Sequence, residues 1–196
     1  MSKCVASRCV LALVVLPVLL SFPLPYSALA QTVTKPLRAS EVMALEAGGA
    51  LQANIAHDIA VRGISFHPDS DFLALMTKAG ADASVIAALK TAMVTEGPAQ
   101  PDKQLLQQLC DAAVMMKNKQ YGDAADKLSD ALNASFARME TGFVMAELMR
   151  RENQFDKAAA IYAEILDSNP DFPEVHDKAR NPSENWCSVQ VEIRVT

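Results

Sequence analysis

Aromatic residues are scarce in this chain, 6% of its 196 residues with a single tryptophan. A β-sandwich, whose pleated faces draw on aromatic and β-branched side chains, is therefore disfavoured, and abundant alanine points to helices. Basic residues fall short of acidic ones, 18 against 23 for a net charge of −5. That balance removes the clustered Lys and Arg on which non-specific nucleic-acid binding depends, so no nucleic-acid partner is expected. Of four cysteines only two lie beyond residue 30, and two make no disulfide framework, while the three histidines stand far apart in the sequence. What is present is apolar: a hydrophobic fraction of 51% with 21% charged residues excludes a wholly disordered chain. The length allows one domain or two small ones.

The first thirty residues read as a signal peptide. Residues 1–9 carry Lys3 and Arg8 and no acid, residues 10–20 form an apolar run, and Ser27-Ala28-Leu29-Ala30 ends in a small-x-small pattern. Eleven residues at about 1.5 Å each cover roughly half of a ~30 Å hydrocarbon core, and Pro17 interrupts them, against the rival reading of an uncleaved anchor. Neither Cys4 nor Cys9 follows the apolar run, so a lipid-modified N-terminal cysteine is not indicated. Cleavage after Ala30 leaves residues 31–196 with all 23 acids and 16 of the 18 bases, a charge of −7. No second run is long enough to span a bilayer, so the expectation is an exported protein, periplasmic or secreted, with no stable membrane span. An oxidising compartment permits a bridge between Cys110 and Cys187; otherwise Cys110 is a small buried hydrophobe and Cys187 a tail residue.

Glycines then punctuate a four-helix module over 37–96. Those at 48, 49, 63, 80 and 97 each follow an apolar-periodic stretch, where a helix end favours a residue that tolerates positive φ. Ser40 is the expected cap of a first helix running through Glu41, Val42 and Leu45 to Gly48-Gly49. Leu51, Ile55 and Ile59 share one face of a second helix, which Gly63 stops. Ile64-Ser65-Phe66 reads as an extended connector, and His67-Pro68-Asp69-Ser70-Asp71 as a turn with an N-cap. Phe72, Leu75, Met76 and Ala79 mark a third helix up to Gly80. Asp82 or Ser84 opens a fourth, with Val85, Ile86, Leu89 and Met93 inward. The two hairpins match at an offset of 30 residues, Val42 with Phe72, Leu45 with Leu75, Ile55 with Val85 and Ile59 with Leu89. Chance similarity between amphipathic hairpins is the competing explanation. A helix-turn-helix DNA reader conflicts with export and an acidic chain. The stretch from Gly63-Ile64-Ser65-Phe66 through Asp71-Phe72-Leu73 to Ala79-Gly80-Ala81 resembles a small helical module that precedes repeat regions in some exported bacterial proteins. Residues 97–103, with Pro98 and Pro101, read as a stiff linker.

From Leu105 the chain recurs with a period of 34 residues. Ala112 returns as Ala146, Met115 as Met149, Tyr121 as Phe155, Ala124 as Ala158, Leu128 as Tyr162 and Ala131 as Ile165. Each unit predicts a helix, a turn and a second helix: 105–117 with 123–132, then 141–150 with 156–167. The period and these residues resemble the tetratricopeptide repeat (TPR) family, over units 105–138 and 139–172 and a partial third, 173–180. The resemblance implies that Ala112, Ala124, Ala146 and Ala158 let the helices of a hairpin approach closely. Tyr121 and Phe155 would plug the hairpin ends, Leu128 and Tyr162 would pack against the next unit, and Pro170 would end the second repeat. Departures stand at the family's tryptophan position, here Gln108 and Gly142, at Asp111 for its leucine, at Phe136 for its first proline, and at Ile165 for a small residue. Amphipathic Met- and Ala-rich helices without a repeat are the alternative. Beyond Arg180, Asn181-Pro182 breaks the helix, and Val189, Val191, Ile193 and Val195 alternate with polar residues, so 181–196 reads as an irregular or strand-like tail. The fold class expected is all-α: a helical-hairpin module, a short TPR-type solenoid and that tail.

Stacked hairpins of this family curve, and the first helix of each unit lines the hollow side. The resemblance places Leu106, Leu109, Ala113, Met116 and Lys117, then Glu140, Phe143, Glu147, Arg150 and Arg151, on a partner-binding groove. Adaptable Met and Leu beside cations would suit a peptide or helix with an apolar stretch and an acidic flank. For Lys117, Arg150 and Arg151, solvated helix C-termini are the simpler account. The asparagine of the chaperone-tail-binding subclass is replaced by Cys110 and Val144, which argues against carboxylate capture in that manner.

No catalytic, cofactor or metal motif is present: His57, His67 and His176 lie in separate elements, outside any HExxH or Cys-x-x-Cys setting. His57 and Asp58 diverge by ~100° on a helix. Asp69-Ser70-Asp71 lacks the Gly and Glu of a calcium loop, having Ala74 and Gly80 at those places. The reading is therefore a non-enzymatic exported adaptor that binds another protein. An accessory or regulatory subunit of a larger envelope enzyme assembly, and a small-ligand carrier, are the alternatives. Two repeats fall short of the roughly three that make a stable stack. Something must cover them: the 37–93 module, the partial third helix, or a second copy of the chain. Deleting residues 37–93 is accordingly expected to lower the melting temperature and cooperativity of the remainder in thermal unfolding, and unchanged melting would count against such docking.

Overall fold

The helix ends follow from local chemistry. In a computed structural model that describes residues 35–95, 102–134, 138–181 and 183, the elements are α1 (Ala39–Gly48), α2 (Gln52–Arg62), α3 (Ser70–Ala79), α4 (Ala83–Thr91), α5 (Lys103–Lys117), α6 (Tyr121–Ala134), α7 (Arg138–Arg151), α8 (Phe155–Ser168) and α9 (Val175–Arg180). Asp69 accepts the Phe72 N–H at 2.8 Å, and Asp82 and Asp102 likewise accept first-turn N–H groups of α4 and α5, the ordinary role of a short carboxylate at an N-cap. α1 departs from expectation. Its N-cap is Arg38 rather than Ser40; Glu41 reaches back to the Arg38 N–H at 2.7 Å, and Ser40 lies inside the helix. The signal-peptide segment, most of the linker and all of the tail beyond Ser183 lie outside the described residues, as does Phe136.

The 34-residue period is carried by the backbone as well as by side chains. After α5 the chain turns through Lys119 at φ 61°, and after α7 through Asn153 at φ 62°. The Gln120 N–H reaches the Met115 carbonyl at 2.9 Å, and the Gln154 N–H reaches Met149 at 2.8 Å. Each is a six-residue closure that satisfies an orphan carbonyl of the preceding helix. α1 and α3 end on the same closure, Ala50 N–H to Leu45 and Ala81 N–H to Met76, with Gly49 and Gly80 in the left-handed position. Those two turns are 31 residues apart, one more than the spacing of the buried pairs Ile55 with Val85 and Ile59 with Leu89.

Packing builds one core. α5 lies against α6 and α7 against α8, α6 also touches α7, and α9 closes on α8. In the N-terminal half α2 packs on α4, and α3 leans on α5. Leu37, Ile64 and Val94 join as single parallel backbone bridges, so the extended connector at Ile64 is the centre of a three-chain crossing rather than a loop. α1 settles mainly between α5 and α7, and nine of its ten residues are buried. The buried side chains form one contiguous cluster from Leu37 to Val175, so α1–α4 and α5–α9 share a core. Met93 is a correction: α4 ends at Thr91, and Met93 lies beyond it, 70% exposed, while its carbonyl accepts from Ile64.

At Gly48 an added Cβ would lie 2.6 Å from Cε1 of the fully buried Phe143. Gly48→Ala is expected to destabilise by about 1–3 kcal/mol through overpacking. Gly122→Ala in α6, with nothing within 4 Å of the new methyl, should instead stabilise by about 0.5–1 kcal/mol through helix propensity. Denaturant midpoints at constant slope would read both.

Candidate functional site

Between α5 and α7 runs a trough, and α1 lies in it. Leu106, Leu109, Ala113 and Met116 of α5 and Phe143, Glu140 and Glu147 of α7 are buried. α1 contributes Val42, Met43, Ala44 and Leu45 to the same core. The groove expected to stand open for a guest is thus closed by the chain's own first helix, and seven of its ten residues are inaccessible. The physical reason lies in α1, which has only Glu41 and Glu46 as charges and no solvated face. A helix apolar on all sides must be enclosed.

The direction of α1 is set by its ends. At its start the Ser40 hydroxyl donates to Glu140 at 2.8 Å, and the Arg38 guanidinium lies 3.0 Å from the same oxygen. At its finish Gly48 abuts Phe143, and the Arg151 guanidinium donates to the Gly48 carbonyl at 3.2 Å. Glu140 is near the start of α7 and Arg151 at its end, so α1 and α7 run parallel. Parallel helices bring like dipole ends together. Here an acid sits at the positive ends and a cation at the negative ends, the favourable sense. Lys117 and Arg151 are exposed, as expected of helix C-termini, but Arg151 is also a ligand of a second helix.

A second polar cluster lies beneath the far end of the trough. Glu147 accepts from the Tyr162 hydroxyl at 2.5 Å, from Lys178 of α9 at 2.7 Å and from Arg150 at 2.8 Å. Lys178 is also 3.4 Å from Glu174 and 5.2 Å from the Phe143 ring centroid. Burial alone would raise the Glu147 carboxyl, but Lys178 and Arg150, with hydrogen bonds from Lys178 and Tyr162, outweigh it and hold the group below the usual carboxylate range. Burial, the Glu147 charge and its hydrogen bond push the Tyr162 phenol far up, so it remains a donor. Glu46 is the opposite case: burial raises it, beyond what its 2.8 Å hydrogen bond from Gln52 and the Lys117 charge restore. At the near end, Glu140 Oε2 and the Thr141 hydroxyl are buried with no hydrogen-bond partner among the described residues.

The expected packing residues fall as follows. Ala112, Ala124, Ala146 and Ala158 are fully buried, as are Leu128 and Tyr162; Tyr121 and Phe155 are half-buried at the first turns of α6 and α8, and Pro170 is exposed with its carbonyl 2.8 Å from His176 Nε2. Cys110 is a buried thiol near the Leu75 carbonyl, and Cys187 is outside the described residues. Arg38 and Lys178 were missed by sequence reasoning, and Ser40 was read only as a helix cap. Their one signal is the pair of acids at i and i+7 on α7, Glu140 and Glu147, which place carboxylates on a face otherwise apolar and so require donors from elsewhere. Among the described residues no group of three or more His, Cys, Asp or Glu is placed to hold a metal, and no helix is long and apolar enough to cross a membrane. No family model matches the chain, and neither a curated protein nor a solved structure does.

Two titrations test this geometry. Because Glu147 is held below its unfolded value, its contribution is complete at neutral pH and drains as pH falls through the ordinary glutamate range towards the lower folded value. Lys178→Met is expected to cost about 3–5 kcal/mol and to move acid unfolding to higher pH, read by thermal melts across that range. Glu46, held above its unfolded value, weighs against folding when ionised. Glu46→Gln should therefore raise the melting temperature at neutral pH, with the advantage vanishing as acid protonates the native carboxyl.

Proposed function

We propose that this chain is an exported, non-catalytic interaction adaptor built on TPR-like hairpins. The 34-residue recurrence supports the family resemblance, since it is carried by side chains and by the turns at Lys119 and Asn153 alike. The single observation that carries the functional reading is the trough between α5 and α7, which encloses an entire helix and engages both of its ends with opposite charges. That is the chemistry by which a groove holds an amphipathic or apolar segment of another protein. The accessory-subunit reading is the same activity directed at one fixed enzyme partner. Small-ligand carriage has its own observation, a cleft of about 530 Å³ lined by apolar residues such as Met139, Met145 and Ile161 and by the polar Asn133, Arg138 and Glu164.

Affinity purification of the mature chain from its own envelope, with Arg151→Glu as control, tests the adaptor reading. A protein retained by the wild type and changed in amount by Arg151→Glu is expected. A folded chain that retains none overturns the reading, and a co-purified small ligand in native mass spectra would favour the carrier.

A further inference from the structure

We propose that the trough between α5 and α7 reads the direction of the helix it holds, and that α1 is a tethered occupant which a helix of another protein with like direction and end chemistry displaces. The inference rests on the adaptor reading and names the partner's chemistry. Such a helix carries a hydroxyl and a cation in its first turn, a small apolar body, and glycine where it passes Phe143.

The direction is encoded in α7. Glu140 meets the first turn of α1 through Ser40 and Arg38, and Arg151 meets its last carbonyl at Gly48. An antiparallel occupant would set Glu140 against helix carbonyls and Arg151 against helix N–H groups, the unfavourable sense at both ends. The size restriction is steric, since no Cβ fits at Gly48 without moving a ring that is fully buried and stacked near Phe172.

α1 is not the best-matched occupant of its own trough. Glu140 is 0% exposed; Ser40 and Arg38 share its Oε1, and Oε2 has no partner among the described residues. The adjacent Thr141 hydroxyl is buried and unpaired too. Buried polar atoms of this kind weaken the packing above them, so a helix that brings one further donor to this turn has the advantage. α1 is joined to α2 by the short Gly49-Ala50-Leu51 turn and packs mainly on α5 and α7 rather than on α2. Its start is fixed as well, by Leu37 bonding Gly63 and Ser65 through the backbone, so an incoming helix competes with an occupant whose tether raises its local concentration.

The probe is a labelled peptide of residues 36–50, titrated by anisotropy against the full chain, wild type and Gly48→Leu. The variant wedges α1 away from Phe143 and should raise peptide affinity by about tenfold or more, because the site no longer has its own helix to release. A peptide with Ser40→Asn, which brings an amide donor to the same turn, should bind more tightly than the parent, and the reversed-sequence peptide should not bind. Equal binding of the reversed peptide overturns directional reading. No binding to a Gly48→Leu chain that retains a cooperative melt overturns the trough as a site for a second helix. Should Gly48→Leu fail to fold, Ser40→Asp, which sets a carboxylate against Glu140, serves in its place. A dimer of the unmixed chain by light scattering, exchanging α1, overturns the heterologous partner in favour of a second copy. Peptide binding without any captured envelope protein supports the site while removing the adaptor reading; a captured protein with no peptide binding does the reverse.

Discussion

The burial of α1 against α5 and α7 organises the rest of the molecule. A helix without a solvated face has to find partners for every polar group it carries, and α1 does so within a few residues of each end. Glu41 is used by Arg38, Glu46 by Gln52, Ser40 by Glu140, and the last carbonyls by Ala50, Gly49 and Arg151. In exchange it supplies the apolar surface that two hairpins alone lack. The N-terminal module and the hairpins therefore stand on one core rather than two.

Electrostatics then fixes the arrangement that burial permits. Parallel neighbours would be penalised at both ends if uncompensated, and the compensation is local: Glu140 at one end, Arg151 at the other. Glu147 extends this order to α8 and α9 through Tyr162 and Lys178. Because the three donors share one buried carboxylate, they act as a unit, and the short α9 is held by an ion pair it could not form in isolation.

Much of the helical layout was legible one residue at a time. Asp82 and the 67–71 turn announce helix starts and Gly49 and Gly80 announce stops, because a cap depends only on its immediate neighbours. The same reasoning placed Ser40 as a cap and Met93 inside. Both placements failed for tertiary reasons: Glu140 draws on Ser40 from a hundred residues away, and the backbone at Met93 pairs with Ile64. The period placed turns after residues 117 and 150, but the positive φ at Lys119 was not legible, since lysine does not favour it; asparagine does, so Asn153 carried a local signal.

The period of the side chains determined, without coordinates, that residues 105–172 would form two similar helical hairpins and that their exposed faces would require a cover. Amino-acid order carries that information because contacts within a hairpin are local. Which element provides the cover was decided only in three dimensions. α1 meets α5 and α7 across separations of some sixty to a hundred residues, and their fit depends on the width at Gly48 and the charges at Glu140 and Arg151, quantities that exist only once all three helices are side by side.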